Sequence, residues 1–209
     1  MDILKQLNWR YATKKFDATK KISQEQLDIL KQAFNLTATS YGLQTISMVV
    51  VENKKLREQL VESAFNQKQV ADASHLLVIC IQENITAQDV INYYKNIKQV
   101  RNTPDHILKP YQDGLIATIE KMSETERQQW SKNQAYIALG NLMTVCAGIQ
   151  VDACPMEGFL PEVYDSVLGL SQRGLKSVLL LPVGIRDQDD LFASLKKVRK
   201  PINETVIEI

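Results

Sequence analysis

One uninterrupted apolar segment, residues 76–81, constrains the fold more than any other part of the chain. It reads LLVICI, and its length is typical of a β-strand. A strand with one wet face alternates between apolar and polar residues, whereas a strand covered on both faces is apolar throughout. The segment therefore predicts a central strand in a sheet that is buried on both sides.

Shorter patterns add strands and helices around this one. The β-branched run Ile46–Val51 predicts a second strand, and Val151–Met156 and Ser177–Ile185 predict two more. Capping boxes begin helices after Ser23, Thr86 and Ser123, because each is followed three residues later by a side chain that can bond back to it. The sum is an α+β chain with about four to five strands and many helices.

Two long segments depart from this regular pattern. Apolar residues cover almost every face of the helix predicted from Ser123 to Gly148, so it should be buried, either centrally or at a subunit interface. Residues 101–122 hold two prolines and a glycine among polar residues before a short helical pattern that starts at Leu115. We expect this stretch to form a helical excursion of a single domain over residues 1–209.

The last five residues, Thr205–Ile209, are β-prone but isolated at the end of the chain. An unpaired edge strand is open to association with other strands. We therefore expect this tail to join a sheet, either its own or that of a partner subunit.

Composition excludes several classes of function. Twenty-five basic and 24 acidic residues leave a net charge of +1, so no broad field would attract nucleic acid or an anionic membrane surface. No apolar run approaches the roughly 18–20 residues of a membrane span, and the first residues lack a signal-peptide core. With three widely spaced cysteines and two histidines, we expect neither disulfides nor a metal site. The expected location is the cytoplasm.

Two short basic clusters stand out against this neutral background. Arg10 and Lys14 belong to one near the start, and Lys197 and Arg199 belong to one near the end. Fixed cations of this kind make charge-assisted hydrogen bonds to phosphate or carboxylate groups. Taken alone, a basic pair near a terminus is more often a solvated surface. If the clusters meet, they predict a local site for a small anion.

Other polar residues have plain structural interpretations. His75 opens the central apolar strand and is expected to be a hydrogen-bonded core histidine rather than a catalyst. Asp187, Asp189 and Asp190 are expected to be solvent-exposed charges at a helix start. The usual nucleotide and nucleophile signatures, G-x-G-x-x-G, G-x-x-x-x-G-K-[ST] and G-x-S-x-G, do not occur. Tight binding of ATP or a dinucleotide through those devices is therefore not expected.

In their order along nearly the whole chain, several motifs resemble the flavin-dependent nitroreductase family, in particular its oxygen-insensitive NAD(P)H nitroreductases and dihydropteridine reductase-like members. These motifs are Arg10, Thr13-Lys14, Phe16-Asp17, the Ser40–Gln44 loop, Asp72–His75, Gly140-Asn141, Pro155–Phe159, Pro182–Gly184, Lys197 and Arg199. The resemblance implies a nitroreductase-like fold, with a central, mainly antiparallel sheet flanked by helices. It also implies a homodimer in which a C-terminal strand extends to the partner subunit and two FMN sites are shared.

The resemblance also assigns residues to the cofactor. Arg10, Lys197 and Arg199 would hold the FMN phosphate, whereas Lys196 and Lys200 gain no role and should face water. Lys14 would tune the flavin near its N1/O2 edge, and no side-chain catalyst is implied. The remaining implied contacts are Tyr11, Ala12, Asn66 and Gln69, the ring-face segment Pro155, Met156, Glu157 and Gly158, and the partner-derived residues Ala38, Thr39, Ser40 and Gly42.

This sequence departs from better-known members of that family at several of these positions. Ala12 stands where a phosphate-binding serine is common, and Gln69 stands where some members have a second lysine near the flavin. Gly42 replaces an asparagine, and Thr45-Ile46 replaces Pro-Trp. Ile116 falls roughly where an aromatic residue lies over the substrate. The loss of one cation should weaken stabilisation of an anionic reduced flavin.

The activity that the resemblance implies is an FMN-dependent NAD(P)H oxidoreductase. NADH or NADPH would deliver hydride to the flavin and leave, and a nitroaromatic, quinone or activated alkene would then take its place in ping-pong order. Two alternatives remain open. One is a flavin-binding sensor or carrier with little turnover, and the other is a dimeric scaffold that binds no cofactor.

Overall fold

The computed structural model describes residues 2–209. Its α-helices and β-strands are α1 Ile3–Trp9, α2 Gln24–Asn35, β1 Ile46–Val51, α3 Lys54–Gln59, α4 Gln69–Asp72, β2 His75–Gln82, α5 Ala87–Arg101, α6 Asp105–Lys121, α7 Glu124–Gly148, β3 Asp152–Ala153, α8 Pro161–Val167, β4 Leu175–Gly184 and α9 Ile202–Thr205. Short 3₁₀ helices occur at Ser40–Gly42, Glu62–Ala64, Ser171–Arg173 and Leu191–Ser194.

The four strands form one antiparallel sheet in the order β1-β2-β4-β3. The apolar segment lies in β2, the strand flanked by β1 and β4, and its residues are at most 1% exposed. Alternate side chains enter different cores: Leu77 and Ile79 pack in one cluster, and Leu76 and Val78 pack in the other. The prediction of a central strand covered on both faces is confirmed, as is the α+β fold class.

The long helix α7 lies against this sheet. Small and apolar residues on one face, including Ala135, Leu142 and Cys146, join the core below it. On another face, Tyr136 and Ile137 remain about half exposed, at 48% and 50%. The helix thus has the central position that was one of the two predicted alternatives, but Tyr136 and Ile137 leave one face uncovered in the single chain.

Helices α5 and α6 pack on each other and build a third cluster that includes Leu115 and Ile119. Helix α6 is longer than the predicted pattern, since it begins at Asp105 directly after Pro104 and continues through Pro110. Pro110 forfeits one backbone hydrogen bond. The helix nevertheless continues, and Leu115 and Ile119, five and nine residues after Pro110, are buried.

Other boundaries also differ from prediction. Strand β3 has only two residues, although Met156 makes a further antiparallel bridge to Leu180. The tail does not form the expected strand within this chain: Thr205 ends the one-turn helix α9, and residues 206–209 have no regular structure. Within residues 2–209, no strand of the sheet pairs with the tail.

Candidate functional site

The two basic clusters, 187 residues apart, meet in space around one cavity of about 330 Å³. We call it the cationic pocket, and its lining residues are Arg10, Tyr11, Ala12, Lys14, Phe192, Leu195, Lys196, Lys197 and Arg199. Lys196 was expected only to face water; it is exposed but also lines this cavity. The condition for a small-anion site, that the clusters lie together, is met.

The N-terminal side of the pocket is fixed to the edge of the sheet. Helix α1 ends at Trp9, and the chain then becomes extended at Arg10, with φ −70° and ψ 145°. Ala12 forms a parallel bridge with Ala153 of β3, and the Thr13 amide donates to the Ala153 carbonyl at 3.2 Å. These backbone bonds hold the first basic cluster along the edge strand.

The C-terminal side reaches the same place through an irregular segment. After the 3₁₀ helix Leu191–Ser194 the chain has no regular structure up to Pro201. Lys197 Nζ donates a hydrogen bond to the carbonyl oxygen of Arg10. A side chain of the second cluster therefore contacts the backbone of the first.

Arg10, Lys197 and Arg199 have no direct ion-pair partner among the described residues. Burial lowers the pKa of Arg10, and the nearby Arg199 lowers it further. Burial also lowers the pKa of Lys197, with further contributions from Arg10 and Arg199. Within residues 2–209, none of these three cations has a carboxylate within ion-pair distance. The pocket is therefore suited to an anion that carries more than one charge.

Asp190 corrects a prediction. It was expected to lie in solvent, but it is only 5% exposed. Its Oδ2 accepts hydrogen bonds from the Tyr11 hydroxyl at 2.9 Å and from the Lys14 and Lys15 amides at 2.8 and 3.0 Å. Burial pushes the pKa of Asp190 upward, but the bonds from these donors outweigh it and the pKa is lowered. Asp189, by contrast, is exposed as expected, with 84% side-chain exposure.

An ion pair between Arg186 and Asp152 supports the same wall of the pocket. It was not predicted from the sequence. The Arg186 guanidinium lies 4.3 Å from the ring centre of Trp9 and 4.6 Å from that of Tyr11. Its Nε donates to the buried carboxylate of Asp152 at 2.7 Å. Stacking and ion pairing together fix the ring of Tyr11, which lines the pocket.

The implied ring-face segment, residues 155–158, follows strand β3. It contacts the residues on either side of Asn66, one of the implied contacts to the polar edge of the flavin. Gln67 Nε2 donates to the Gly158 carbonyl at 2.9 Å. A Cβ at Gly158 would lie 3.2 Å from that same nitrogen and 3.5 Å from the Phe65 ring, so glycine permits this close approach. Asn66, directly beside Gln67, is exposed and has a left-handed φ of 59°.

Helix α7 contacts this segment from another direction. The Tyr136 hydroxyl donates to the Glu157 carboxylate at 2.5 Å, and this hydrogen bond raises the pKa of Tyr136. Met156 exchanges two backbone hydrogen bonds with Leu180 of β4, at 2.9 and 3.0 Å. The segment is thus held through its backbone and through a side chain.

Gln69 differs from the other implied polar-edge residues because it is buried, with 8% exposure, at the first position of α4. The carboxyl end of α4 is held by the buried Arg57. Its Nη1 donates to the carbonyl oxygens of Val70, Ala71 and Ala73 at 3.1, 2.7 and 2.6 Å. This helix is therefore rigidly attached to α3.

The loop Ala38–Gly42 is not brought to the cationic pocket within this chain. The Ser40 amide donates to Gln134 of α7 at 2.8 Å. Gly42 has φ +72°, and a Cβ there would lie 2.5 Å from the Tyr93 hydroxyl, so a side chain at this position would require Tyr93 to shift. Ile116 packs in the cluster formed by α5 and α6 and does not line the pocket either.

His75 has the environment expected of a structural histidine. It is 5% exposed, its Nδ1 lies 2.9 Å from the Ser74 hydroxyl oxygen, and burial lowers its pKa. Among the described residues, no cluster of three His, Cys, Asp or Glu side chains has the arrangement of a metal site. No helix in residues 2–209 has both the length and the apolar surface needed to cross a bilayer.

The geometry suits a ligand with a phosphate at one end. Three cations without counterions, Arg10, Lys197 and Arg199, provide strong donors for a dianionic phosphate. Ala12 lies beside β3, and the ring-face segment continues from the same strand two residues after Ala153. The cations present therefore suit a phosphate group, such as the one that FMN carries.

Comparisons with known proteins show which proteins this chain is similar to. The Bacillus subtilis relative YfkO is 36% identical over 97% of this chain and 92% of its own length. The "Oxygen-insensitive NAD(P)H nitroreductase" of Salmonella typhimurium is 29% identical over the full length of both chains. A solved FMN complex of a nitroreductase-type protein from Exiguobacterium sibiricum is 20% identical with a TM-score of 0.83, covering 100% of this chain and 98% of that one.

The sequence model of the Nitroreductase family matches residues 7–185, which include the sheet, α7 and the N-terminal side of the cationic pocket. The fold is accordingly nitroreductase-like, with the single antiparallel sheet flanked by helices. Because this match covers most of the 209 residues, the chain belongs to the nitroreductase family.

Proposed function

We propose that the chain is an NAD(P)H-dependent oxidoreductase that works with bound FMN. The observation that carries this proposal is the cationic pocket, where Arg10, Lys197 and Arg199 meet with no carboxylate within ion-pair distance among residues 2–209. Membership of a family whose named relatives include an NAD(P)H nitroreductase supports the redox class. The FMN complex of a protein with the same fold supports the choice of flavin.

Three side chains would bind the phosphate in this proposal. Arg10 and Arg199 would each offer several N–H donors, and Lys197 would add a point charge. Binding a dianion would also relieve the mutual repulsion that lowers the pKa values of Arg10 and Lys197. The phosphate would thus be recognised by charge and would anchor the rest of the cofactor.

Other residues would orient the flat ring. Lys14, on the same extended segment as Arg10, would place a positive charge near the pyrimidine edge, and Asn66 would bond that edge. The backbone of Glu157 and Gly158 would face the ring without an intervening side chain. When bound, FMN would supply the centre that accepts hydride from NAD(P)H and passes it to an acceptor.

We propose nitroaromatics, quinones and activated alkenes as acceptors, reduced in ping-pong order. Among residues 2–209 there is no G-x-G-x-x-G segment for a resident dinucleotide. A nicotinamide cofactor that visits and leaves is consistent with this, and the acceptor would then use the same face. No side chain is required to form a covalent bond to either substrate.

We further propose that the working form is a homodimer with shared sites. Apolar side chains of the C-terminal segment are largely exposed in the single chain, at 87% for Val198, 78% for Ile202 and 81% for Ile207. Such a row of exposed apolar residues favours contact with another protein surface. The loop Ala38–Gly42, which does not reach this chain's own pocket, would complete the site of the partner.

The test is a flavin titration of the purified protein. FMN should bind with one site per chain, and NADH or NADPH added without oxygen should bleach its visible absorbance. A nitroaromatic or quinone should then restore the colour. Binding without bleaching would favour the sensor or carrier alternative, which the neutral Gln69 keeps open. Failure to take up FMN would contradict the proposal and favour a scaffold.

A further inference from the structure

Asp190 links the two halves of the cationic pocket. It lies next to the 3₁₀ helix that precedes the second basic cluster, yet it bonds to the first cluster 175 and 176 positions earlier. Of its partners, Tyr11, Lys14 and Phe192 all line the pocket. A single carboxylate is therefore bonded to both chain segments that carry the proposed phosphate ligands.

The two carboxylate oxygens divide this work. Oδ2 accepts from the Tyr11 hydroxyl and from the Lys14 and Lys15 amides, whereas Oδ1 accepts from the Phe192 amide at 3.0 Å. An asparagine has only one acceptor oxygen, and its NH₂ group would face N–H donors. Only an ionised carboxylate satisfies both segments at once.

A buried negative charge beside an anion site requires an explanation, because it would repel a phosphate. Four donors, three backbone amides and the Tyr11 hydroxyl, stabilise the negative charge of the Asp190 carboxylate by hydrogen bonding. If the Asp190 charge acted mainly by electrostatic repulsion of the anion, removing that charge would strengthen anion binding. If it acts through geometry, removing it would weaken anion binding. The two roles therefore predict opposite changes in anion affinity when the charge is removed.

We propose that Asp190 is a positioning residue for phosphate recognition, which sets the spacing between the N-terminal and C-terminal cations of the pocket. This inference rests on the proposed function, since it concerns the phosphate of FMN. Asp190 does not line the pocket, so in this proposal it would contact neither the phosphate nor the ring. It acts through the segments that carry Arg10, Lys14, Lys197 and Arg199.

The experiment compares FMN with riboflavin, which has the same ring but no phosphate. Affinities for both are measured in wild type, Asp190→Asn, Tyr11→Phe and the control Asp189→Asn. Asp189 is the matched control because it is the adjacent aspartate but is exposed. General destabilisation of the fold would lower the affinities for both ligands equally. The ratio of FMN affinity to riboflavin affinity therefore isolates phosphate recognition.

Asp190→Asn should lower that ratio by about tenfold, the effect of losing a hydrogen bond to a charged group. Tyr11→Phe removes one of four donors and should lower it by about two- to threefold. Asp189→Asn should leave it unchanged. If Asp190→Asn does not fold, Asp190→Glu, which keeps the charge but moves the carboxylate, replaces it and should also lower the ratio. An unchanged or increased ratio of FMN to riboflavin affinity in a folded Asp190 variant would overturn the inference.

Failure of this inference is distinguishable from failure of the proposed function. If wild-type protein binds neither FMN nor riboflavin, or binds both equally, the phosphate site itself is wrong. If wild type strongly prefers FMN and the Asp190 and Tyr11 variants keep that preference, the site stands and only the positioning role is lost.

Discussion

At the residue scale, the site depends on charges that only a ligand would neutralise. Arg10, Lys197 and Arg199 share one pocket, and burial and mutual proximity lower the pKa values of the first two. Proteins rarely keep several cations together without counterions unless they serve a function. The arrangement therefore gives testable consequences for each cation.

Removal of Arg199 should weaken FMN binding. Arg199→Ala takes away one charge-assisted contact to the phosphate, which corresponds to an affinity loss of about tenfold or more. Lys200→Ala is the matched control, since Lys200 is an adjacent, exposed cation that does not line the pocket. Fluorescence titration with FMN measures both. Equal losses in the two variants would mean that Arg199 has no specific role.

The lowered pKa of Lys197 makes binding depend on pH at alkaline values. As pH rises toward the ordinary lysine value of 10.5, Lys197 loses its proton early in the free protein, and FMN affinity should fall. Lys197→Arg keeps its charge over this range and should flatten the decline. Affinity titrations at stepped pH check this. A decline of the same size in both proteins would exclude Lys197 as its source.

At the element scale, helix α7 and the loop before α4 hold the ring-face segment. Tyr136 of α7 bonds the Glu157 side chain, and Gln67 bonds the Gly158 carbonyl. The peptide between these two residues is thereby fixed from opposite ends. Small displacements of such positioning groups slow a reaction more than they weaken binding.

Tyr136→Phe should therefore separate binding from turnover. It removes one hydroxyl donor and keeps the ring, so FMN content should stay full while flavin reduction by NADH slows by about threefold to tenfold. Tyr111→Phe serves as a control because that tyrosine is 69% exposed on α6. Rapid-mixing absorbance measures the rate. An unchanged rate would show that the Tyr136 hydrogen bond does not order the segment.

Strand β2 should dominate stability among the elements. Ile79 is fully buried between β1 and β4, and Ile79→Ala should lower the free energy of unfolding by about 2–5 kcal/mol. Ile91→Ala on α5, where the side chain is 38% exposed, should cost less than about 1 kcal/mol. Urea unfolding followed by circular dichroism compares them. Similar losses would contradict a core centred on β2.

Sequence patterns predicted these elements because each depends on neighbours in the chain. The burial of β2 and the capping boxes that start α2, α5 and α7 follow from local spacing and are confirmed. Asp190 and Arg186 could not be predicted, since their partners lie 179 and 34 residues away and no periodic pattern marks them. The start of α6 was misplaced because Pro110 indicates a helix boundary unless tertiary packing compensates for it.

At the scale of the whole molecule, the chain brings its two ends to one edge of the sheet. Ala12 bridges β3 at that edge, and the segment after β4 returns beside it to place Lys197 against Arg10. The tail beyond Pro201 stays exposed in the single chain. Its predicted strand would need a neighbour from a second subunit, so it depends on a contact that one chain does not contain.

We propose that the pocket formed by the two chain ends holds the FMN phosphate of a redox enzyme. Anaerobic titration of the FMN-loaded protein with NADH tests it most directly, with wild type and Arg199→Ala loaded and measured in parallel. Wild type should retain FMN and be bleached stoichiometrically, whereas Arg199→Ala should retain much less flavin. Full flavin retention in the variant, or wild-type flavin that no nicotinamide cofactor bleaches, would contradict it.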